Sequence, residues 1–214
     1  MAVKQRARKD EDKAVRRLAI LDTATALLQH GAYHDITMAE VARQSGLAKG
    51  TLYLYFSSKE ALFLAALERE LDRWFADVGG LLKPGPLTPG AFARGLAGSL
   101  TAHPRLLELM SLLHNVLEHN IDVETARGFK TNLLRKMQAA SVLVEAALPM
   151  LRPGTGALLL MRMYALLVGY RQMATAAPNV AEALQSEALA PLRVDFEADF
   201  ASAMVDLIRG MTRA

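Results

Sequence analysis

The chain has 214 residues, 52% of them apolar, a formal net charge of +3 and no cysteine. This composition suits one folded domain or two small ones with a sizeable core, and it excludes a disordered chain. The lack of cysteine excludes disulfides, thiolate metal sites and thiol redox sensing. The polar, basic N-terminus does not read as a secretory signal. The most apolar stretch, 157–177, is interrupted by Arg162 and Arg171. No membrane span is therefore expected, and the expected compartment is the cytoplasm. The charge is unevenly placed. Residues 1–60 carry 10 basic and 7 acidic side chains, whereas residues 61–214 carry 15 of each. Seven bases (Lys4, Arg6, Arg8, Lys9, Lys13, Arg16 and Arg17) fall within the first 20 residues. A localised basic segment suits a polyanionic partner.

Helical spacing runs through nearly the whole chain, and no strand alternation or hairpin signal stands out. The first helix is expected over 12–30, with Val15, Leu18, Leu21, Thr25 and Leu28 on one face and Gly31 beyond its end. Thr37 and Glu40 form a capping-box pattern that opens a second helix, which stops at Ser45 and Gly46. A third helix is expected from Ala48 to about Phe56. Ser57 and Glu60 form a second capping-box pattern and open a fourth helix over 58–78. Leu62, Ala65, Ala66, Leu71, Trp74 and Val78 keep its period, and Gly79 and Gly80 are expected to end it. The stretch 83–90, rich in Pro and Gly, reads as a linker. Helices then follow at 91–102, 104–119, 122–148, 154–177 and 195–210, with a shorter one at 180–189. The helix at 154–177 is apolar almost all round, so it is expected to lie in a core or under a partner.

The segment GLAKGTLYLYFSSKEAL, residues 46–62, places Tyr53, Tyr55 and Phe56 between Lys49 and Lys59. Residues 37–54 read as helix, tight turn, helix, the arrangement whose second helix enters a DNA major groove. Ala42 and Gly46 are small where two helices cross, and Val41, Leu47 and Leu52 supply apolar contacts. Lys49, Gly50 and Thr51 stand at the N-terminal end of the second helix, where base edges are met. Lysine reaches guanine acceptors, threonine bonds a base or touches a thymine methyl, and glycine lets the backbone approach. Tyr53 and Tyr55 can pack their rings and turn their hydroxyls to phosphate oxygens, which set register. Lys59 and Thr37, each at a helix start, suit phosphates as well.

The pattern Thr37, Val41, Ala42, Ser45, Gly46, Leu47, Lys49 through Tyr53, Tyr55, Phe56, Ser58, Lys59, Glu60 and Leu62 closely resembles the DNA-binding domain of TetR-family transcriptional regulators. The resemblance covers residues 13–65 without a gap. It implies an all-α fold, with a three-helix helix-turn-helix DNA-binding domain followed by a helical effector-binding and dimerisation domain. The boundaries expected are 1–60, including the basic arm, and 61–214. It also implies a sequence-specific repressor, released from a palindromic operator by a small molecule. By position, Thr37, Tyr53, Tyr55 and Lys59 would contact phosphates, and Lys49, Gly50 and Thr51 would face bases. Many members have serine where this chain has Ala48, so a hydroxyl contact is lost there. The implied homodimer would form through helices near 154–177 and 195–210.

The second half names no ligand. Its methionines (Met110, Met137, Met150, Met161, Met163, Met173 and Met204) suit an apolar or aromatic one, and Met110, His114, Asn115 and Tyr164 are the candidate lining residues. His114 and Glu118 share a helix face, but no further ligands stand near them in sequence, so no metal site is expected. His30 and His34 are separated by the helix end at Gly31. No catalytic motif is present, so neither enzyme activity nor a cofactor is expected. Two alternatives remain open: a ligand-independent or partner-controlled DNA-binding protein, and an activator. Helix 58–78, expected to join both domains, is the natural lever between ligand and DNA.

Overall fold

The computed structural model describes residues 2–82 and 85–212, with side chains from residue 11 onward. Lys83 and Pro84 of the expected linker, and the side chains of Lys4, Arg6, Arg8 and Lys9, lie outside the described residues. The described residues are helical, with no strand beyond a single bridge between Leu151 and Thr212. The elements in chain order are α1 (Ala2–His30), a 3-10 turn (Tyr33–Asp35), α2 (Met38–Gln44), α3 (Lys49–Tyr53) and α4 (Lys59–Leu82). They continue with α5 (Pro89–Thr101), α6 (Pro104–Leu112), a π turn (Leu113–Leu117), α7 (Val123–Ala147) and α8 (Gly156–Ala174). The chain closes with α9 (Pro178–Ala183), a second 3-10 turn (Glu187–Leu192) and α10 (Phe196–Gly210).

Two compact units emerge. The first holds the residues up to Glu70 together with Leu112–Phe129, and the second holds Leu71–Ser111 and Lys130 onward. In the first unit, α1 contributes Ile20, Leu21, Ala24 and Leu28, α2 contributes Met38, Val41 and Ala42, and α4 contributes Leu62, Phe63, Leu64 and Leu67. Val15 and Leu18, expected on the core face of α1, are 64% and 49% exposed. The reason is length: α1 starts ten residues before the expected Asp12, and every described side chain from Glu11 to Ala19 is exposed. Arg69 ties α4 to α1. Its guanidinium pairs with Asp22 at 2.9 Å and donates to Thr25 Oγ1 at 3.4 Å.

In the second unit, α5 lies against α10, and α10 also packs on α8. Phe92, Leu96 and Leu100 of α5 are buried, as are Phe200, Met204 and Ile208 of α10. Trp74 of α4 is 1% exposed and donates its indole N–H to Ser99 Oγ at 3.1 Å. Thr88 accepts the Ala91 amide and caps α5, with Pro89 as the first helical residue. Asp195 caps α10 in the same way through the Ala198 amide. Glu145 of α7 accepts the amides of Gly154 and Gly156 and so caps α8 from outside its own sequence.

Several expected boundaries shift. Helix α4 runs through Gly79 and Gly80 to Leu82, because buried Val78 and Leu82 outweigh the weak helix preference of glycine. The expected helix 104–119 breaks into α6 and a π turn in which the Glu118 amide donates to the Leu113 carbonyl. The expected short helix 180–189 is two pieces, α9 and a 3-10 turn containing Pro191. The all-round apolar helix is two-sided. Leu159, Leu160, Met163 and Leu167 of α8 are buried, whereas Leu158 is 43% and Met161 61% exposed.

The helix glycines differ in surroundings, and stability should follow. A Cβ on Gly156 would meet the Ser141 carbonyl at 2.7 Å, whereas one on Gly80 would meet nothing within 4 Å. Gly156→Ala is expected to destabilise by about 1–3 kcal/mol through overpacking. Gly80→Ala is expected to stabilise by roughly 0.5–1 kcal/mol through helix preference. Midpoints of urea unfolding measure both, and equal shifts of the same sign would contradict the packing described.

Candidate nucleic-acid interface

Helix α2 begins where Thr37 Oγ1 accepts the Glu40 amide at 3.2 Å. This is half of the expected capping box. The Glu40 carboxylate turns along the helix instead, where it accepts from Arg43 Nη2 at 2.6 Å and from Gln44 Nε2 at 2.7 Å. The Arg43 contact, then the Gln44 bond, hold its pKa down to about 2. The turn after α2 depends on Gly46, whose φ of +67° lies in the left-handed region. The turn is closed by the Leu47 amide, which donates to the Ala42 carbonyl at 2.8 Å.

Helix α3 has only five residues and would not persist alone. Leu52, with no exposed surface, and Phe56, 4% exposed, hold it in place. Arg17 of α1 places its guanidinium 4.9 Å above the Phe56 ring. Ala48 precedes the helix and supplies no side-chain cap. Lys49, Gly50 and Tyr53 are exposed and share a face of α3 that excludes Leu52. Thr51 and Tyr55 are half-buried, and Leu54 is 78% exposed. Gly50 has open space around the position of a Cβ. The arrangement is a helix-turn-helix with a cationic, hydroxyl-bearing exposed face.

The second expected capping box is displaced by one residue. Ser58, not Ser57, accepts the helical amide, that of Ala61, at 3.0 Å. The Ser58 hydroxyl donates in turn to the Asn120 carbonyl. Glu60 is therefore free to accept the Tyr33 hydroxyl at 3.3 Å. Lys59 donates to the Tyr33 carbonyl and lies 3.9 Å from the centre of the Tyr33 ring. Partial burial pulls the Lys59 pKa below the ordinary lysine value, while Glu60 and Asp35 push it back up. Burial, reinforced by Glu60, raises the Tyr33 hydroxyl well above its usual range.

Thr37, Lys49, Gly50, Thr51, Tyr53, Tyr55 and Lys59 all lie within the first unit. Of the four candidate ligand residues, Met110 and Tyr164 lie in the second unit and His114 and Asn115 in the first. Tyr164 donates its hydroxyl to the carbonyl of buried Met110 at 3.1 Å. His114 and Asn115 are exposed on the π turn, and His114 pairs with Glu118 at 2.9 Å. Three surface recesses are lined by other residues. One lies beside 173–194, one between α5 and α10, and one between α1 and the turn at 45–47. Among the described residues, no cluster of three metal-ligating side chains occurs and no helix is long and apolar enough to cross a membrane.

Such a helix-turn-helix, at the head of an all-helical chain, defines a DNA-binding regulator. The profile described as "Bacterial regulatory proteins, tetR family" matches residues 20–66. The profile described as "Tetracyclin repressor-like, C-terminal domain" matches residues 68–214. The chain belongs to the TetR family, whose members are DNA-binding transcriptional regulators and not enzymes. It is 47% identical over 58 residues to the HTH-type transcriptional repressor KstR of Rhodococcus jostii (strain RHA1), a match spanning 27% of each chain. The match thus spans about a quarter of that relative's length. A transcriptional regulator from Rhodococcus sp. RHA1 shares the fold at a TM-score of 0.64 and 16% identity, over 90% of this chain and 94% of that one. The fatty acid degradation regulator FadR from Bacillus halodurans shares it at 0.55 and 15%, over 91% and 98%.

Two substitutions test the exposed face of α3. Gly50→Ala is expected to raise stability by about 0.5–1 kcal/mol and yet weaken DNA binding, because the added methyl stands between backbone and groove. Lys49→Ala is expected to cost roughly 1–3 kcal/mol of binding and to relax preference at one base position. Anisotropy titrations against a panel of single-base operator variants measure both. A Lys49→Ala protein with wild-type affinity and preference would place the reading helix elsewhere.

Proposed function

We propose that the chain is a homodimeric repressor that places α3 of each protomer in the major groove of a palindromic operator and is released by a small apolar or aromatic ligand. One observation carries the DNA half of this reading. Leu52 and Phe56 anchor a five-residue helix whose outward residues are Lys49, Gly50 and Tyr53. In this reading Lys49, Gly50 and Thr51 face bases. Thr37, Tyr53, Tyr55 and Lys59 hold phosphates and fix register. The excess positive charge of residues 1–60 adds affinity that does not depend on sequence.

Dimerisation through α8 and α10 is supported by the two-sided character of α8, with Leu158 and Met161 exposed opposite a buried row. Two-fold symmetry in the protein then requires it in the operator. Release would be a population shift: ligand favours a dimer whose reading helices are wrongly spaced, with α4 as the lever. Linkage requires operator to weaken ligand binding by the same factor. Met110, His114, Asn115 and Tyr164 are the residues proposed for the ligand, and the compartment proposed is the cytoplasm. A second reading, control without a ligand, is favoured by one contact: the Tyr164 hydroxyl already has a partner in the Met110 carbonyl.

The test is anisotropy of the purified protein against DNA tiled across the flanks of its own gene, at two salt concentrations, with excess competitor. Tight, competitor-resistant binding to one palindrome is expected. Weak binding to every fragment, erased by salt, would favour an architectural role. Deleting residues 1–11 is expected to flatten the salt dependence. Leu158→Glu combined with Met161→Glu is expected to yield monomers in sedimentation velocity, and a stable dimer would move the interface away from α8.

A further inference from the structure

Tyr33 stands in the 3-10 turn between α1 and α2, yet three of its parts engage the first turn of α4. Its carbonyl accepts from the Lys59 ammonium, its ring faces the same ammonium at 3.9 Å, and its hydroxyl donates to Glu60 Oε1. Its ring also meets Phe63 edge-on, with centroids 5.1 Å apart. Phe63 has no exposed surface, so the tyrosine is braced from behind by the core. Two consecutive residues of one helix are thus gripped by one residue of a distant turn.

A cation at this place does not serve helix α4. Lys59 is the first residue of that helix, where the macrodipole disfavours positive charge. An exposed lysine would swing its ammonium away on four rotatable bonds, and here the carbonyl and the ring prevent that. An ammonium has three N–H donors, and the Tyr33 carbonyl takes one. The others can serve an anion that the α4 N-terminus favours as well.

We propose that Tyr33 is a positioning residue for DNA binding: its ring holds the Lys59 ammonium at the start of α4 in the place where an operator phosphate is bound. The inference rests on the DNA-binding reading above and assigns to Tyr33 a part that the resemblance did not. The Tyr33 hydroxyl is not essential to it, since ring and carbonyl carry the grip.

The test is a double-mutant cycle on the full chain, read by anisotropy with operator DNA over a range of salt. Lys59→Ala and Tyr33→Leu are each expected to weaken binding about three- to tenfold and to reduce the salt slope by about one phosphate contact. The double mutant is expected to bind no more weakly than Lys59→Ala alone. Tyr33→Phe, which keeps the ring, is expected to retain wild-type affinity and slope. Lysine-ammonium NMR of the wild type gives a reading that requires no substitution. The Lys59 signal should be displaced by the Tyr33 ring in the free protein and should shift again on adding operator. The inference is overturned if the two losses add, if Tyr33→Leu leaves the salt slope unchanged, if Lys59→Ala binds like wild type, or if the Lys59 signal ignores DNA. Wild-type protein that binds no DNA at low salt would overturn the DNA-binding reading itself, whereas an additive cycle with tight wild-type binding would overturn the part of Tyr33 alone.

Discussion

Helix α4 is the constraint on which the other elements depend. It buries Leu62, Phe63, Leu64 and Leu67 in the first unit, and Leu71, Trp74, Val78 and Leu82 in the second. Full burial of such side chains is worth about 1.5–3 kcal/mol each, so the helix is an order of magnitude better anchored than its local preference would make it. That anchoring explains why two adjacent glycines near its C-terminal end do not stop it. It also explains the polar fittings at its start. Ser58 caps the helix, Glu60 takes the Tyr33 hydroxyl, and Lys59 takes the Tyr33 carbonyl. Ten residues on, Arg69 closes onto α1 through Asp22 and Thr25. A helix held at so many points gives α1 and the turn after it a common frame.

Helix α3 gains its order from burial in the first unit. Five residues cannot offset the cost of nucleating a helix, so α3 exists because Leu52 and Phe56 are buried. Arg17 over the Phe56 ring adds a cation–π contact from α1, which fixes the end of the element opposite Lys49. The outward residues are therefore free of structural duty. A Cβ on Gly50 would meet nothing within 4 Å, Lys49 and Tyr53 are exposed, and Ala48 contributes no cap. A surface that carries charge, hydroxyls and an exposed leucine while contributing little to the core suits recognition better than stability.

Much of this was legible in the sequence, for reasons that are local. Helical period, the Thr37 cap and the glycine at 46 act within one or two turns, and each lies where expected. What escaped was set by distant contacts or by competition between them. No spacing rule joins residue 17 to 56 or 33 to 59, so the Arg17 and Tyr33 contacts could not be read. The second capping box slipped by one residue, with Ser58 capping the helix and Glu60 taken up by the Tyr33 hydroxyl. Val15 and Leu18 keep the helical period of α1 and yet are exposed, since periodicity says which face a residue is on and not where the neighbouring elements end. Glycine at 79 and 80 misled in the opposite sense, because packing outweighed propensity.

The same energetics bear on the release from DNA proposed above. Helix α3 cannot be rearranged internally without exposing Leu52, which has no exposed surface, or Phe56, which also carries the Arg17 contact. Exposing either would cost about as much as a whole side chain's burial. Displacing the first unit as a body breaks none of these contacts and leaves Lys49, Gly50 and Tyr53 arranged as they were relative to one another. In a dimer, recognition of two half-sites depends on the separation of two such rigid faces, and a small change there forfeits half of the base contacts at once. On the function proposed above, a unit whose face at Lys49, Gly50 and Tyr53 is stiff is suited to control by displacement rather than by local unfolding.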